Sequence, residues 1–381
     1  MAISRKRIGI LTGGGDCPGL NAVIRAVVKT AHNDYGMEVI GFKDGYEGLI
    51  ENRYMNIDSR SVSGLLSLGG TILGTSNRAD PFNFPVLQGD DYVYLDRSSQ
   101  AVLNFESMGL DALICIGGDG TMSATAGMEK KGLPVVGVPK TIDNDLVGTD
   151  VTFGFDSAVV TATDAIDKLH TTAQSHHRVM IVEVMGRYAG WIALHAGIAG
   201  GGDIILIPEI PYDINSVCEK VKDRNAQGKN FSIIVIGEGA KPLGGEMVVS
   251  KTVANSPDKI RLGGISHQLA AQIEGITKIE CRVTILGHLL RGGAPSSFDR
   301  ILATRFGVEA VHMVVREEFG KLVVLKNNEM SSVSIQSVSG KQRKVSCDHP
   351  MIKTALSLGI CMGHPENVSL DDYCANISLS N

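Results

Sequence analysis

The residues from Gly117 to Asp145, GGDGTMSATAGMEKKGLPVVGVPKTIDND, decide the reading of the whole chain. Two short apolar runs, Ala112–Ile116 just before the stretch and Val135–Val138 within it, each break into a polar loop. The first loop is Gly117-Gly118-Asp119-Gly120-Thr121; the second is Pro139-Lys140-Thr141-Ile142-Asp143-Asn144-Asp145. Apolar runs of this length, bounded by Gly or Pro, read as buried strands of a parallel sheet. The residues between them suffice for one crossover helix. Ligands of such sheets bind beyond the carboxyl ends of the strands, where both loops fall. One loop offers backbone N–H groups and a carboxylate, the other an ammonium and a pair of carboxylates. That set suits phosphoryl transfer: phosphates cradled, a metal held, and a proton taken from an attacking hydroxyl.

The strand-then-loop layout recurs on both sides. Ile8–Leu11 leads into a Gly-rich turn, Thr12-Gly13-Gly14-Gly15-Asp16-Cys17-Pro18-Gly19, and then a helix over Ala22–Ala31 with Asn21 as its cap. Such a turn is an anion site by its bare N–H groups and the positive helix end. Close strand–helix packing explains it equally well. Its spacing fits neither the dinucleotide fingerprint nor the P-loop. Val39–Phe42 is a further strand, and Gly69–Arg78 (GGTILGTSNR) reads as a surface loop sooner than a phosphate pocket. Past a Gly/Thr-rich connection at 148–155, a helix is expected over Ser157–Thr172. Strands at Val179–Val184, Ile204–Ile207, Phe231–Ile236 and Val283–Leu286 then alternate with helices at Ile192–Ala199, Ile214–Asn225 and Ile265–Glu274. The pattern predicts an α/β protein of two doubly wound domains. After a helix over Ile301–Arg316 and a strand over Leu322–Leu325, residues 327–349 read as an edge hairpin. A last helix, Ile352–Leu358, precedes a loose tail.

Composition agrees. The chain has 381 residues, long enough for two domains. It is 43% hydrophobic and 20% charged, which is globular. A formal net charge of -5 argues against nucleic acid and membrane surfaces as partners. The 7 Cys include no C-x-x-C pair, and several lie in apolar runs, as free thiols in a reduced compartment do. A zinc site is not expected. No signal region follows the basic start, and no apolar stretch approaches the roughly 18 residues of a membrane span. The chain reads as a soluble cytoplasmic protein.

Positive charge is concentrated on the loops expected to face the cleft: Arg178 after His176-His177, Arg187 in Met185-Gly186-Arg187, Arg282 opening a strand, and His288 and Arg291 in the loop after it. Any one of these is a surface charge by default. Together, in an acidic protein, they point to an anionic substrate, because guanidinium matches phosphate oxygens bidentately. Asp119 follows Gly117-Gly118, where a carboxylate reaches Mg²⁺ bridging phosphates or else stabilises an Asx-turn. Asp143 and Asp145 share a side if the segment is extended. One then accepts a hydroxyl proton while the other orients an Arg or a metal; turn chemistry around Asn144 is the competing account.

These motifs, with GGGDCPGLN, GGTILGTSNR, SHHRV, MGRYAG, GEG and RVTILGHLLRGG in unbroken order over roughly residues 7–330, resemble the 6-phosphofructokinases of the ATP-dependent and pyrophosphate-dependent superfamily. The resemblance implies two Rossmann-like domains enclosing a cleft. Residues 1–153 with about 290–340 would bind nucleotide, and 154–289 with about 341–381 would bind sugar phosphate. It implies Asp143 as the base for the sugar 1-hydroxyl, Thr141 beside it, and Arg187 neutralising the transferring phosphoryl group. Glu238, His288 and Arg291, with Met185 and Gly186, would hold fructose 6-phosphate. Gly15, Arg78, Asp119, Gly120 and Thr121 would hold ATP, with Mg²⁺ at Asp119. A homotetramer is expected, with Arg178 and Arg282 reaching a neighbouring subunit's site.

Donor choice rests on Gly120 and Lys140. In the family, the pair found here goes mainly with ATP, whereas pyrophosphate users carry Asp in place of Gly120. A side chain at 120 would fill the volume an α-phosphate needs. Pyrophosphate is the alternative donor. A non-catalytic sugar-phosphate sensor on this fold would be expected to lose the base, yet Asp143 and Arg187 are both present. A dinucleotide-dependent dehydrogenase lacks its fingerprint. Gly120→Asp is expected to abolish turnover with ATP; unchanged ATP kinetics in that variant would contradict the steric account.

Overall fold

The structure, a computed structural model, describes residues 6–89, 91–252, 260–365 and 367–378. The chain opens with β1 (Arg7–Thr12), α1 (Leu20–Tyr35), β2 (Glu38–Phe42), α2 (Tyr46–Glu51) and β3 (Tyr54–Ile57). The hairpin β4 (Phe84–Gln88) and β5 (Asp91–Leu95) leads to α3 (Ser98–Ser107), β6 (Ala112–Gly117), α4 (Asp119–Lys130) and β7 (Val135–Pro139). Next come α5 (Phe155–His176), β8 (Val179–Val184), α6 (Trp191–Ala199), β9 (Ile204–Leu206), α7 (Ile214–Ala226) and β10 (Ser232–Gly237). Strands β11 (Val249–Thr252) and β12 (Ile260–Leu262) precede α8 (Ile265–Thr277) and β13 (Cys281–Ile285). The chain ends with α9 (Ser297–Val315), β14 (Lys321–Lys326), β15 (Glu329–Ser334), α10 (Ile335–Val338), α11 (Pro350–Ser357) and α12 (Leu370–Ser378).

Two main sheets result. The larger has the order β15-β14-β7-β6-β1-β2-β3, parallel from β14 to β2 and antiparallel at both edges. The smaller, β13-β8-β10-β9, is parallel throughout. Helices cover the large sheet on both faces, so its central strands bury every side chain. Ile8, Ile10, Ile114 and Ile116 enter one apolar cluster while Leu11, Leu113 and Cys115 enter the other. That is why these strands read as unbroken apolar runs instead of alternating ones. The first cluster continues through α5 into Met180 and Val182 of the small sheet, which fastens the two layers together. Ser157 at the start of α5 donates from N and Oγ to Asp299 Oδ2 of α9, at 2.8 and 2.6 Å, adding a polar tie at the same junction.

Several expectations need correction. Asn21 does not cap α1: the helix starts after Gly19, whose φ of 109° only glycine adopts readily. Asn21 is instead buried inside the first turn, donating to Leu68 O and Gly69 O and accepting from Ile72 N at 2.9 Å. Only the front of residues 327–349 pairs as an edge hairpin, β14 with β15. The remainder folds into α10 and a strap over the loops described below. The tail is not loose, since it carries α12 and a disulfide joins Cys347 to Cys374. Those two cysteines are therefore not free thiols; Cys17, Cys115, Cys218, Cys281 and Cys361 are. Local spacing could not reveal a pair brought together by tertiary packing. Among the described residues, no helix is long and apolar enough to cross a membrane.

Helix α9 packs directly on α1, and the approach is set by Gly307. A Cβ there would lie 2.8 Å from both Ala26 Cβ and the Val23 carbonyl oxygen. Gly307→Val is expected to force the helices apart and cost about 1–3 kcal/mol. A urea midpoint equal to the parent's would show that the contact is looser than described.

Candidate active site

In the large sheet the connections leaving the neighbouring parallel strands β1 and β6 run to opposite sides, as do those leaving β8 and β10 in the small sheet. Crevices form at such switch points, outside the carboxyl ends of the strands. At the first, the Gly-rich turn after β1 is tied to its surroundings. Gly13 N donates to Ile116 O at 2.9 Å and Gly14 N to Ser76 O at 3.1 Å, so these two amides are engaged internally. The anion-cradle reading of the turn does not extend to them. Thr75 Oγ1 donates to Gly14 O at 2.5 Å and Thr12 Oγ1 to Gly74 O at 2.7 Å. Residues 69–76 are thus half-buried against the Gly-rich turn instead of forming a free surface loop, and Asn77 and Arg78 at their end are exposed. Asp119 opens α4; its Oδ1 accepts from Gly340 N at 2.9 Å, and burial raises its carboxyl pKa. Thr121 is buried a turn further on. Gly120 is exposed, and a Cβ there would meet nothing within 4 Å, leaving an open flank beside the helix end.

The loop after β7 holds the densest chemistry. Lys140 is only 3% exposed, and its ammonium donates to the Gly15 carbonyl. Burial pushes its pKa down. Asp143 N donates to Thr141 Oγ1 at 3.0 Å. Among the described residues, the buried Asp143 Oδ1 has no hydrogen-bond partner. Burial drives the Asp143 carboxyl pKa up, opposed by the positive charges of Arg291, Arg187 and Lys140. Asn144 takes the left-handed φ of 53°, and its Oδ1 accepts from Thr152 N at 3.1 Å. Asp143 and Asp145 therefore flank a turn and do not alternate along an extended segment. They remain electrostatic neighbours: burial first, then Asp143, lifts Asp145 to about 7.

The small sheet supplies the opposing wall. Arg187, with a left-handed φ of 51°, lies in the loop after β8 with the partly buried Met185 and with Gly186 (φ 143°). Arg187 N donates to Glu238 Oε1 at 3.1 Å. Burial, reinforced by Asp143, raises Glu238 to about 7. Arg291 sits on the 3₁₀ turn Gly287–Arg291 and reaches across to the large sheet, donating from Nη1 to Asp16 O at 3.1 Å. A Cβ on Gly15 would fall 2.3 Å from that nitrogen, so a side chain there would push the guanidinium aside. His288 is exposed on the same turn. Lys140, Thr141, Asp143, Arg187, Glu238 and Arg291 are thus gathered around one junction, with Gly15, Asp119, Gly120 and Thr121 along its large-sheet side.

Arg178 and Arg282 are not part of this gathering. Both stand at the amino ends of their strands, where Arg178 Nε donates to Glu280 Oε2 at 2.5 Å and Arg282 Nη2 pairs with the same carboxylate. The site lies beyond the carboxyl ends, about 20 Å away along a six-residue strand. A residue before a strand and one after it lie at opposite edges of a sheet, which the cleft-facing expectation overlooked. Sequence reasoning also missed Gly340, Gln342, Arg343, Trp191 and Glu209, which brace the loops. The only signal was the basic run Lys341-Gln342-Arg343-Lys344 within the segment read as a hairpin.

Two doubly wound sheets meeting over a buried carboxyl ringed by cations define the class, an α/β phosphotransferase. Residues 7–314 match the family model described as Phosphofructokinase, and the chain belongs to that family. It is 55% identical over 357 residues to ATP-dependent 6-phosphofructokinase 2 of Clostridium perfringens, covering 93% of this chain and 98% of that protein. Identity to ATP-dependent 6-phosphofructokinase of Chloroflexus aurantiacus is 52% over 365 residues, covering 95% and 99%. The solved pyrophosphate-dependent phosphofructokinase of Nitrosospira multiformis superposes with a TM-score of 0.77 at 18% identity, covering 97% and 95%; that likeness concerns the fold alone.

Burial lifts the Glu238 carboxyl from 4.5 to about 7. The folded protein keeps this proton where the unfolded chain has lost it. The resulting stability is fully present below 4.5 and is lost as pH rises through about 7. Glu238→Gln keeps an acceptor for the Arg187 N–H and cannot ionise. At about pH 8 it is expected to be more stable than the parent by about 1–2 kcal/mol, with the gap closing toward about pH 5. Thermal melts at the two pH values test this, and equal midpoints at the higher one would contradict it.

Proposed function

We propose that this chain transfers the γ-phosphoryl group of ATP to the 1-hydroxyl of D-fructose 6-phosphate, giving fructose 1,6-bisphosphate and ADP. The observation that carries the reading is the buried Asp143 carboxyl, with Oδ1 unpartnered among the described residues, facing Arg187, Arg291 and Lys140. Asp143 accepts the proton of the 1-hydroxyl. The freed oxygen bonds to the γ-phosphorus as the bond from that phosphorus to the bridging oxygen breaks, and ADP leaves. Burial keeps the base's affinity for a proton high while the cations keep it ionisable, the compromise a general base needs near neutral pH. Arg187 and Lys140 face the charge that gathers on the transferring group, and little protein reorganisation is needed because both are already held. Glu238 and Arg291, with His288 on the same turn, receive the sugar phosphate.

Mg²⁺ fits the donor set. Among the described residues no cluster of three or more His, Cys, Asp or Glu side chains is arranged to hold a metal. Mg²⁺ is commonly bound by one or two carboxylates, with waters and substrate phosphates completing its shell, and Asp119 supplies such a carboxylate. When bound, it would neutralise the donor's phosphate charge. The nucleotide would lie along Gly15, Asp119, Gly120 and Thr121 toward Arg78. The open flank at Gly120 favours ATP over pyrophosphate. The large sheet with α9 corresponds to a nucleotide-binding domain, 1–153 with about 290–340. The small sheet with the carboxyl-terminal helices corresponds to a sugar-phosphate domain, 154–289 with about 341–381. The remote position of Arg178 and Arg282 supports a homotetramer in which both serve a neighbouring subunit's site.

Fructose 6-phosphate turnover is to be measured with ATP, ADP and pyrophosphate as donors. ATP is expected to be used; use of pyrophosphate alone would overturn the donor, and turnover with none would leave a sugar-phosphate sensor. Asp143→Ser is expected to lower kcat at least about a hundredfold while sugar-phosphate binding persists. Near-normal turnover in that variant would refute the base.

A further inference from the structure

We infer that Arg343, outside the family-matched residues 7–314, is a positioning residue that holds the Asp143 loop in register with the Arg187 loop. The inference rests on the base assignment above. The segment between β7 and α5 has no regular structure to fix it, so its shape depends on bonds from elsewhere. Arg343 supplies four of them from one side chain. Its Nε and Nη2 donate to Asn144 O at 3.2 and 3.0 Å, and its Nη1 donates to Thr149 O at 3.2 Å and Asp150 O at 2.8 Å. The backbone joins in, with Arg343 N donating to Asp145 O at 2.6 Å. The residue thus grips the left-handed Asn144, which follows Asp143 directly, and the chain beyond it as far as Asp150.

The same side chain is fixed from the small-sheet side. The guanidinium carbon lies 4.5 Å from the ring centroid of Trp191, the first residue of α6, and Trp191 Nε1 donates to Arg343 O at 2.9 Å. Two residues on, Val345 N donates to Glu209 Oε1 at 2.8 Å, and Glu209 also accepts from Gly190 N at 3.0 Å. Gly190 closes the loop that carries Arg187. Upstream, Gly340 N holds the Asp119 carboxylate at 2.9 Å. The strap 340–345 therefore braces three loops at once, and Arg343 is the member that spans from the base's turn to the indole. A planar, multiply donating cation that stacks on an aromatic face can do this; a lysine ammonium cannot reproduce it.

Misplacing a reacting group by about 1 Å costs on the order of a hundredfold in rate. Arg343→Ala is expected to lower kcat at least about 30-fold while KM for fructose 6-phosphate stays within about threefold, since Glu238, His288 and Arg291 lie on loops that Arg343 does not touch. Added guanidinium chloride at tens of millimolar is expected to restore at least about fivefold of the lost kcat; ammonium chloride at equal ionic strength is not. Arg343→Lys, which keeps charge and bulk, is expected to show a smaller kcat loss of the same kind, and guards against an Arg343→Ala chain that does not fold. Folded Arg343→Ala, or Arg343→Lys if the former is insoluble, with parental kcat would overturn the proposal. So would a kcat loss matched by the loss of folded protein and unmoved by guanidinium. Asp143→Ser run alongside separates the two claims. Normal turnover there refutes the base itself, whereas an inactive Asp143→Ser beside a parental Arg343→Ala refutes only the clamp.

Discussion

The structure depends on keeping one carboxyl group, Asp143, out of water and among cations. A lone buried carboxylate is prohibitively costly and would simply take up a proton. Arg187, Arg291 and Lys140 oppose that tendency, and no single element of the fold could supply all three. Lys140 comes from the same loop, Arg187 from the end of β8, and Arg291 from the turn after β13. The two sheets must therefore meet with their carboxyl ends facing the same space. The shared apolar cluster running through α5 is what brings them there.

The cations are themselves costly to bury, and their compensation explains details that otherwise look arbitrary. Lys140 gives its ammonium to the Gly15 carbonyl, and the Arg291 guanidinium packs directly over Gly15, where a Cβ would displace it. Glu238 and Asp145 complete the balance as carboxyl groups raised to about 7, able to change charge near neutrality as ligands change the local field. Such a site is held under electrostatic tension, and stability is given up for it. The strap from the carboxyl-terminal region bears on this directly, because it satisfies the carbonyls of the turn that points Asp143 inward.

Within the large sheet, the divergence of the connections leaving β1 and β6 puts the Gly-rich turn beside Asp119. Within the small sheet, the divergence at β8 and β10 puts Arg187 beside Glu238. Two copies of the same topological device, turned toward each other, make a crevice for two anionic ligands. The same geometry places Arg178 and Arg282 at the far edge of the small sheet. There they pair with Glu280.

By itself, the sequence determined the alternation of strands and helices, because strands buried on both faces leave unbroken apolar runs and their loops begin abruptly at Gly or Pro. It also marked the loops at Gly117–Thr121 and Pro139–Asp145, whose chemistry is local. Tertiary structure alone decided the rest. Asn21 lost its capping role because residues 68–72 pack across the first turn of α1. Two amides of the Gly-rich turn were used up by neighbours distant in sequence. Cys347 met Cys374 through the docking of the last helix. Arg343 became a brace for a loop some two hundred residues earlier, from a basic run with no periodicity to announce it. Local pattern records how each residue behaves in its own segment; which segments meet depends on long-range burial, and burial leaves no short-range mark.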